Sequence, residues 1–137
     1  MTATDERAPV VGVGVVVIDR GRMLLVERGR GPLVGSWAVP GGKVRYGERL
    51  TEAAVREIRD ETGLELELGG VVSLGEALGE GDPPEHHVVI VDYAGKVVGG
   101  DLAAGDDAAS AAFVPLEELR SLALTPTMYD LLEKLGI

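Results

Sequence analysis

Residues 42–64 read G-K-V-R-Y-G-E-R-L-T-E-A-A-V-R-E-I-R-D-E-T-G-L, and they constrain the fold more than any other stretch. Pro40-Gly41-Gly42 forms a glycine-rich turn that leads into a loop. A helix is then expected over residues 50–62, and Gly63 ends it, because glycine takes φ > 0 without a Cβ clash. On a helix turning by roughly 100° per residue, Leu50, Ala54, Val55 and Ile58 share one arc, with Arg49, Glu52, Arg56 and Arg59 roughly opposite on a solvated face. Glu61 falls within the apolar arc, Glu57 lies at its edge one turn away, and Asp60 sits further round the same side. Carboxylates beside a core are costly unless a partner compensates them. A divalent cation is one such partner, and Mg²⁺ in particular prefers oxygen ligands and keeps several waters. A solvated acidic helix with pairs such as Glu52–Arg56 and Arg56–Asp60 is the other reading of the same acids.

The remaining chain supplies strands around this helix. Residues 10–18, V-V-G-V-G-V-V-V-I, are rich in β-branched side chains and read as a buried strand. A turn at Asp19-Arg20-Gly21-Arg22 leads to a hairpin partner over residues 23–27, a loop over 29–35 and a short strand over 37–39. Further strands are expected over 65–74, 88–93 and 111–114, with 96–98 extending or pairing with the second of these. Loops are expected over 75–85 and 99–107. Pro115 opens a short helix, and Thr125-Pro126 starts a last one over 127–134. Strands on both sides of a central helix imply an α/β fold with a mixed sheet packed between helices.

The spacing of the central stretch closely resembles the Nudix box, G-x5-E-x7-R-E-U-x-E-E-x-G-U, with U a bulky aliphatic residue. Gly42, Glu48, Arg56, Glu57, Ile58, Glu61, Gly63 and Leu64 match, and Asp60 stands where the family usually has Glu, one methylene shorter. The lead-in G-S-W-A-V-P-G-G over residues 35–42 is similar as well. The resemblance implies an α/β/α sandwich and metal-dependent hydrolysis of a pyrophosphate joining a nucleoside to another moiety. It implies Mg²⁺ or Mn²⁺ as cofactor, with Glu57 and Glu61 as leading ligands, Asp60 as a further one at shorter reach, and a backbone carbonyl from the glycine turn, Gly41 or Gly42. Glu48 either completes the shell or holds Arg56, and Arg56 orients the box carboxylates. The base comes either from a box glutamate or from the loop acids Asp106 and Asp107, of which Asp107 is taken forward. On the substrate side the candidates are Arg28, Lys43, Trp37 and His87, all but Lys43 weighed against an ordinary role. For Arg28 that role is a free surface arginine, for Trp37 a core or turn anchor, and for His87 a surface pair with His86; Lys43 follows the glycine turn and is read as a point charge toward phosphate.

Composition narrows the partners. The chain has 137 residues with 45% hydrophobic content, which suits one domain over residues 10–137 behind a polar arm over residues 1–9 expected to be disordered. A net charge of −10 argues against binding nucleic-acid backbone or an anionic membrane. There are no cysteines, which excludes disulfides and thiolate chemistry. The first residues do not look like a signal peptide, and no apolar run reaches ~18 residues, so a soluble cytoplasmic protein is expected. The expected partner is a small nucleotide, and a homodimer is compatible with the sequence. ADP-ribose is the favoured substrate, as in the ADP-ribose pyrophosphatase-like branch of the family. The alternatives are a sanitising nucleoside triphosphate pyrophosphohydrolase and a non-catalytic Nudix-fold module that binds a nucleotide.

Overall fold

Two sheets share one layer between two helices in the computed structural model, which describes residues 7–137. Of the arm expected over residues 1–9, residues 1–6 lie outside the described residues, and residues 7–9 precede the first strand. The elements are β1 (Val10–Val16), β2 (Ile18–Asp19), β3 (Arg22–Arg28), β4 (Trp37–Ala38), β5 (Gly41–Lys43), α1 (Leu50–Thr62), β6 (Leu64–Leu78), β7 (His87–Gly100), β8 (Ala108–Pro115), a 3₁₀ helix (Leu116–Ser121) and α2 (Pro126–Leu135). The first sheet has the order β5-β1-β7-β6 and is mixed: β1 runs parallel to β7, while β5 and β6 are antiparallel to their neighbours. In the second, β3 pairs antiparallel with β2, β4 and β8.

Side-chain alternation along the strands divides the interior into two cores. Val13 and Val15 of β1, Leu24 of β3 and Tyr93 of β7 pack with Ala53, Ala54 and Ile58 of α1. Met23 and Leu25, on the opposite face of β3, pack with Leu119, Leu124 and with Met128, Leu131 and Leu132 of α2. The expected α/β/α sandwich is therefore present, and α1 has the bounds read from its sequence. Its start is held by Glu52, which accepts the Arg49 N–H at 3.2 Å. It ends at Gly63, with φ 76° and its N–H on the Arg59 carbonyl at 2.9 Å. In the last turn Thr62 donates to the Ile58 carbonyl at 2.6 Å and accepts from the Leu64 N–H at 3.2 Å, so the buried hydroxyl is satisfied as β6 begins.

Four expectations are corrected. First, the hairpin is short: only residues 18–19 pair with the start of β3, because the chain switches sheets at Val17 and β1 joins β7 instead. Second, β6 runs through Gly75 to Leu78, and the loop expected over 75–85 shrinks to 79–86. Gly75 therefore lies inside a strand, where a Cβ would meet only the ends of the Lys134 and Asp130 side chains of α2 at ordinary contact distance. Third, β7 and β8 are longer than expected, which leaves residues 101–107 as the acidic loop. Fourth, Arg56 is not on a solvated face: its side chain is 16% exposed and lies over the box.

Ile58 is fully buried at the centre of the α1 core. Ile58→Ala should lower the unfolding free energy by about 2–5 kcal/mol in a denaturant titration while the far-ultraviolet spectrum is kept. A loss within measurement error would contradict this placement of the helix.

Candidate active site

The site begins with two glycines that have no room for side chains. In β5, Gly41 pairs with Gly14 and Gly42 with Val13 of β1. A Cβ on Gly41 would overlap the Val13 carbonyl, and one on Gly42 would overlap the Glu57 carboxyl group. That missing volume lets α1 lay its acids directly against the turn. Glu61, 8% exposed, accepts the Gly41 N–H on Oε1 at 3.0 Å, its one hydrogen bond among the described residues.

Arg56 holds the neighbouring acids. Its Nε and Nη2 donate to the two oxygens of Glu48 at 2.7 and 2.9 Å, and Nη1 donates to Glu57 Oε1 at 2.7 Å. Nη2 also reaches the Lys43 carbonyl at 3.1 Å, which ties α1 to the end of β5. The guanidinium, helped by the Arg45 N–H at 3.0 Å, pulls Glu48 down to about 2. Both Glu48 oxygens are thus engaged, whereas Glu57 makes no second hydrogen bond through Oε2 among the described residues. Asp60 is half exposed and lies 3.9 Å from Arg56.

Glu61 is pushed the other way. Burial raises its carboxyl to about 8; the Gly41 N–H opposes the rise, and the charges of Glu57, Asp106 and Asp107 add to it. The acidic loop is close because its backbone caps α1: Ala103 N–H bonds the Thr62 carbonyl at 2.9 Å and Gly105 N–H bonds the Glu61 carbonyl at 3.0 Å. Asp107 itself forms an ion pair with Arg30, and its carbonyl accepts the Gly29 N–H at 2.8 Å.

Below the turn lies a cleft of about 630 Å³. Its floor is one face of the mixed sheet, with Gly12 and Gly14 of β1, Val88, Ile90 and Asp92 of β7, and Ser73 and Gly75 of β6. Met128, Asp130 and Leu131 of α2 form a wall, and Arg28, Lys43, Gly41 and Gly42 complete the lining; of these Gly41 and Gly42 adjoin the carboxylates of Glu61 and Glu57, which stand just outside the cleft lining. Arg28 is held by the Pro32 carbonyl at 2.8 Å. The remaining substrate-side candidates lie apart from the cleft lining. Trp37 packs into the α2 core. His87 faces Glu76 at 3.1 Å, and it is His86 that lines the cleft. Sequence reasoning misses Asp92 and Ser73, both buried polar residues of the floor. The available signal is a lone acid inside V-V-I-V-D-Y.

The donor set fits a hard divalent cation. Glu57 offers an oxygen not taken by Arg56, Glu61 is a buried carboxyl with one hydrogen bond, and the peptide oxygens of the glycine turn are alongside. Among the described residues no three acidic or histidine side chains form a cage. An ion here would be held by two carboxylates and backbone, with water completing its shell, as suits Mg²⁺.

The two raised carboxyls make the metal-free protein pH-sensitive. Burial also lifts Asp92 to about 6, against the opposing charge of Lys134. Between the ordinary carboxylate value and the raised one, the folded chain holds a proton that the unfolded chain has lost. Stability therefore falls as pH rises through that window. In chelator, the midpoint of thermal unfolding should drop from about pH 4 to about pH 8, each group costing about 1.4 kcal/mol for every pH unit of its own window. Asp92→Asn should remove the lower part of the fall, up to about pH 6, and Glu61→Gln the upper part. A midpoint flat across this range in the metal-free wild type would contradict the burial of these groups.

Comparison with known proteins agrees with the geometry. The family model described as NUDIX domain matches residues 8–135. An ADP-ribose pyrophosphatase from Methanocaldococcus jannaschii is 39% identical over 115 residues, 84% of this chain and 67% of that protein. A putative 8-oxo-dGTP diphosphatase from Bacillus subtilis is 42% identical over 64 residues, 46% of this chain and 41% of that one. The chain spans only 30% and 23% of the length of two further curated relatives. The crystal structure of a MutT NUDIX hydrolase from Burkholderia pseudomallei superposes with a TM-score of 0.85 at 28% identity, covering 93% of this chain and 98% of that one. With its box carboxylates gathered on the glycine turn at the head of a cleft, the chain belongs to the Nudix family, among relatives that are pyrophosphohydrolases.

Proposed function

We propose that residues 10–137 form one Nudix domain that hydrolyses the pyrophosphate of a nucleoside diphosphate linked to another moiety, with ADP-ribose as the favoured substrate and Mg²⁺ or Mn²⁺ as cofactor. The observation that carries this reading is the convergence of Glu57 and Glu61 on Gly41 and Gly42 at the mouth of the cleft. The resemblance to the archaeal ADP-ribose pyrophosphatase favours the substrate. Nudix hydrolases generally use divalent ions, and an ion bound here would offset phosphate charge and lower the pKa of a water.

The chain's own residues supply the rest. Glu57 and Glu61 would hold the ion, while Arg56 fixes Glu57 through Nη1 and locks Glu48 against β5. On the cleft lining, Lys43 meets the substrate's phosphates as a point charge and Arg28 through the directed N–H groups of its guanidinium. Water adds to one phosphorus, the bridging P–O bond breaks, and the departing phosphate keeps the electron pair. The water's proton passes to a base, for which Asp107 and Glu61 compete. Glu48 is a weaker candidate, since Arg56 occupies both of its oxygens.

A substrate panel with product analysis tests the reading. ADP-ribose should give AMP and ribose 5-phosphate, and chelator should abolish turnover. A nucleoside monophosphate with pyrophosphate, released from triphosphates in preference, would instead support the triphosphate reading favoured by the Bacillus subtilis relative. Glu57→Gln and Glu61→Gln should each lower kcat on the order of 10²-fold or more with the fold intact. An active double variant would rule the site out. Asp60→Ala should cost less, because that side chain is half exposed and only loosely held.

Asp107→Asn separates the two bases. If Asp107 accepts the proton, kcat should fall by about 10²-fold or more with metal affinity unchanged. A kcat within a few-fold of wild type would leave Glu61 as the base and Asp107 as the Arg30 partner seen in the acidic loop.

A further inference from the structure

One buried polar group of the cleft has no task in holding the fold or in the reaction described above. Asp92 is 6% exposed, yet its carboxylate makes no hydrogen bond among the described residues. No fully buried side-chain oxygen or nitrogen lacks a partner among those residues, so both Asp92 oxygens open into the cleft rather than into the core. The backbone is shaped to allow this. Asp92 is the register partner of Gly14 on one side and Ser73 on the other. A Cβ on Gly14 would overlap Asp92 Oδ1, so the carboxyl occupies the volume that the glycine leaves free. Ser73, 8% exposed, adds a hydroxyl to the same floor.

The surroundings suit a flat aromatic ligand. Gly12, with the side chains of Val88 and Ile90, continues the floor as an apolar surface, with Met128 in the wall of α2. Asp92 lies two strands from Gly41, since Gly14 pairs with both, which puts it roughly 10 Å from the glycine turn. A nucleotide with its phosphates at the turn would lay its base across the floor with an edge at Asp92. A buried carboxyl without a hydrogen-bond partner costs stability, and here burial lifts its pKa against the opposing charge of Lys134. A ligand N–H group would relieve that cost, and an ionised or shared-proton carboxyl accepts such a group strongly.

We propose that Asp92, assisted by Ser73, is the specificity-determining residue of the cleft and receives the exocyclic amino group of a purine base. The proposal rests on the reading of the site as a nucleotide pyrophosphohydrolase, but it can be measured without turnover. Equilibrium binding by calorimetry, in the presence of Mg²⁺, would compare AMP with purine riboside 5′-monophosphate, which lacks only the amino group. GMP against IMP makes the same comparison at the other purine edge. In at least one pair the amino-bearing nucleotide should bind about tenfold tighter or more to wild type, the value of a hydrogen bond to a charged group.

Asp92→Leu, of similar size, should bind both members of that pair alike. It should also unfold at a temperature equal to or above that of wild type, because no internal hydrogen bond is lost; a structural role would lower it instead. Wild-type protein that binds both members of each pair equally, or binds none of the four, overturns the proposal whether or not Asp92→Leu folds. So does an unchanged preference in Asp92→Leu. Failure of ADP-ribose in the substrate panel leaves this binding comparison intact, and failure of the comparison leaves the hydrolytic reading intact.

Discussion

The site depends on carboxylates packed against a turn that has no side chains. Glu57 and Glu61 leave α1 one turn apart and meet Gly42 and Gly41 of β5. A buried acid of this kind is a source of instability in an isolated fold. Here Arg56 compensates Glu57 and one peptide N–H compensates Glu61, and a bound cation would offset the cost that remains. The two sheets exist in part to hold this contact in register. The β1–β5 pairing sets the height of the glycine turn, and Ile58 with Ala54 sets the depth of α1.

Arg56 shows how one side chain couples the parts. It reaches the loop before α1 through Glu48, the helix acid Glu57, and the end of β5 through the Lys43 carbonyl. With an exposure of 16%, its side chain is partly covered by the loop and carboxylates it holds. The loop acids are organised differently. Gly105 and Ala103 bond the last carbonyls of α1, so Asp106 and Asp107 add negative potential near Glu61 from a segment fixed by backbone rather than by side chains.

Much of this is legible in the sequence, for physical reasons. The helix over residues 50–62 follows from apolar period and a terminal glycine, and the acids at the edge of its buried arc announce a cost needing a partner. Helical phase alone puts Arg56 on the solvated face, because phase cannot see a loop folding over the helix. Residues 75–78 read as the start of a loop because glycine is a loop signal in sequence, whereas pairing with β7 carries β6 through them to Leu78. The same limit hides Asp92. Its environment is made by Gly14 and Ser73 from distant strands, and only the β1–β7–β6 pairing brings the three together.

The central claim is that the glycine turn makes the cation site by making room for Glu57. Substituting a ligand would confuse loss of charge with loss of geometry, whereas Gly42→Ala keeps every carboxylate in the chain and displaces Glu57 from the space its carboxyl group occupies. Calorimetric titration of Mg²⁺ into wild type and Gly42→Ala, with the fold checked by circular dichroism, measures this directly. The account predicts an affinity at least about tenfold weaker in the variant, comparable to disturbing a group that orients a metal ligand. Equal affinity in a folded Gly42→Ala protein would contradict it.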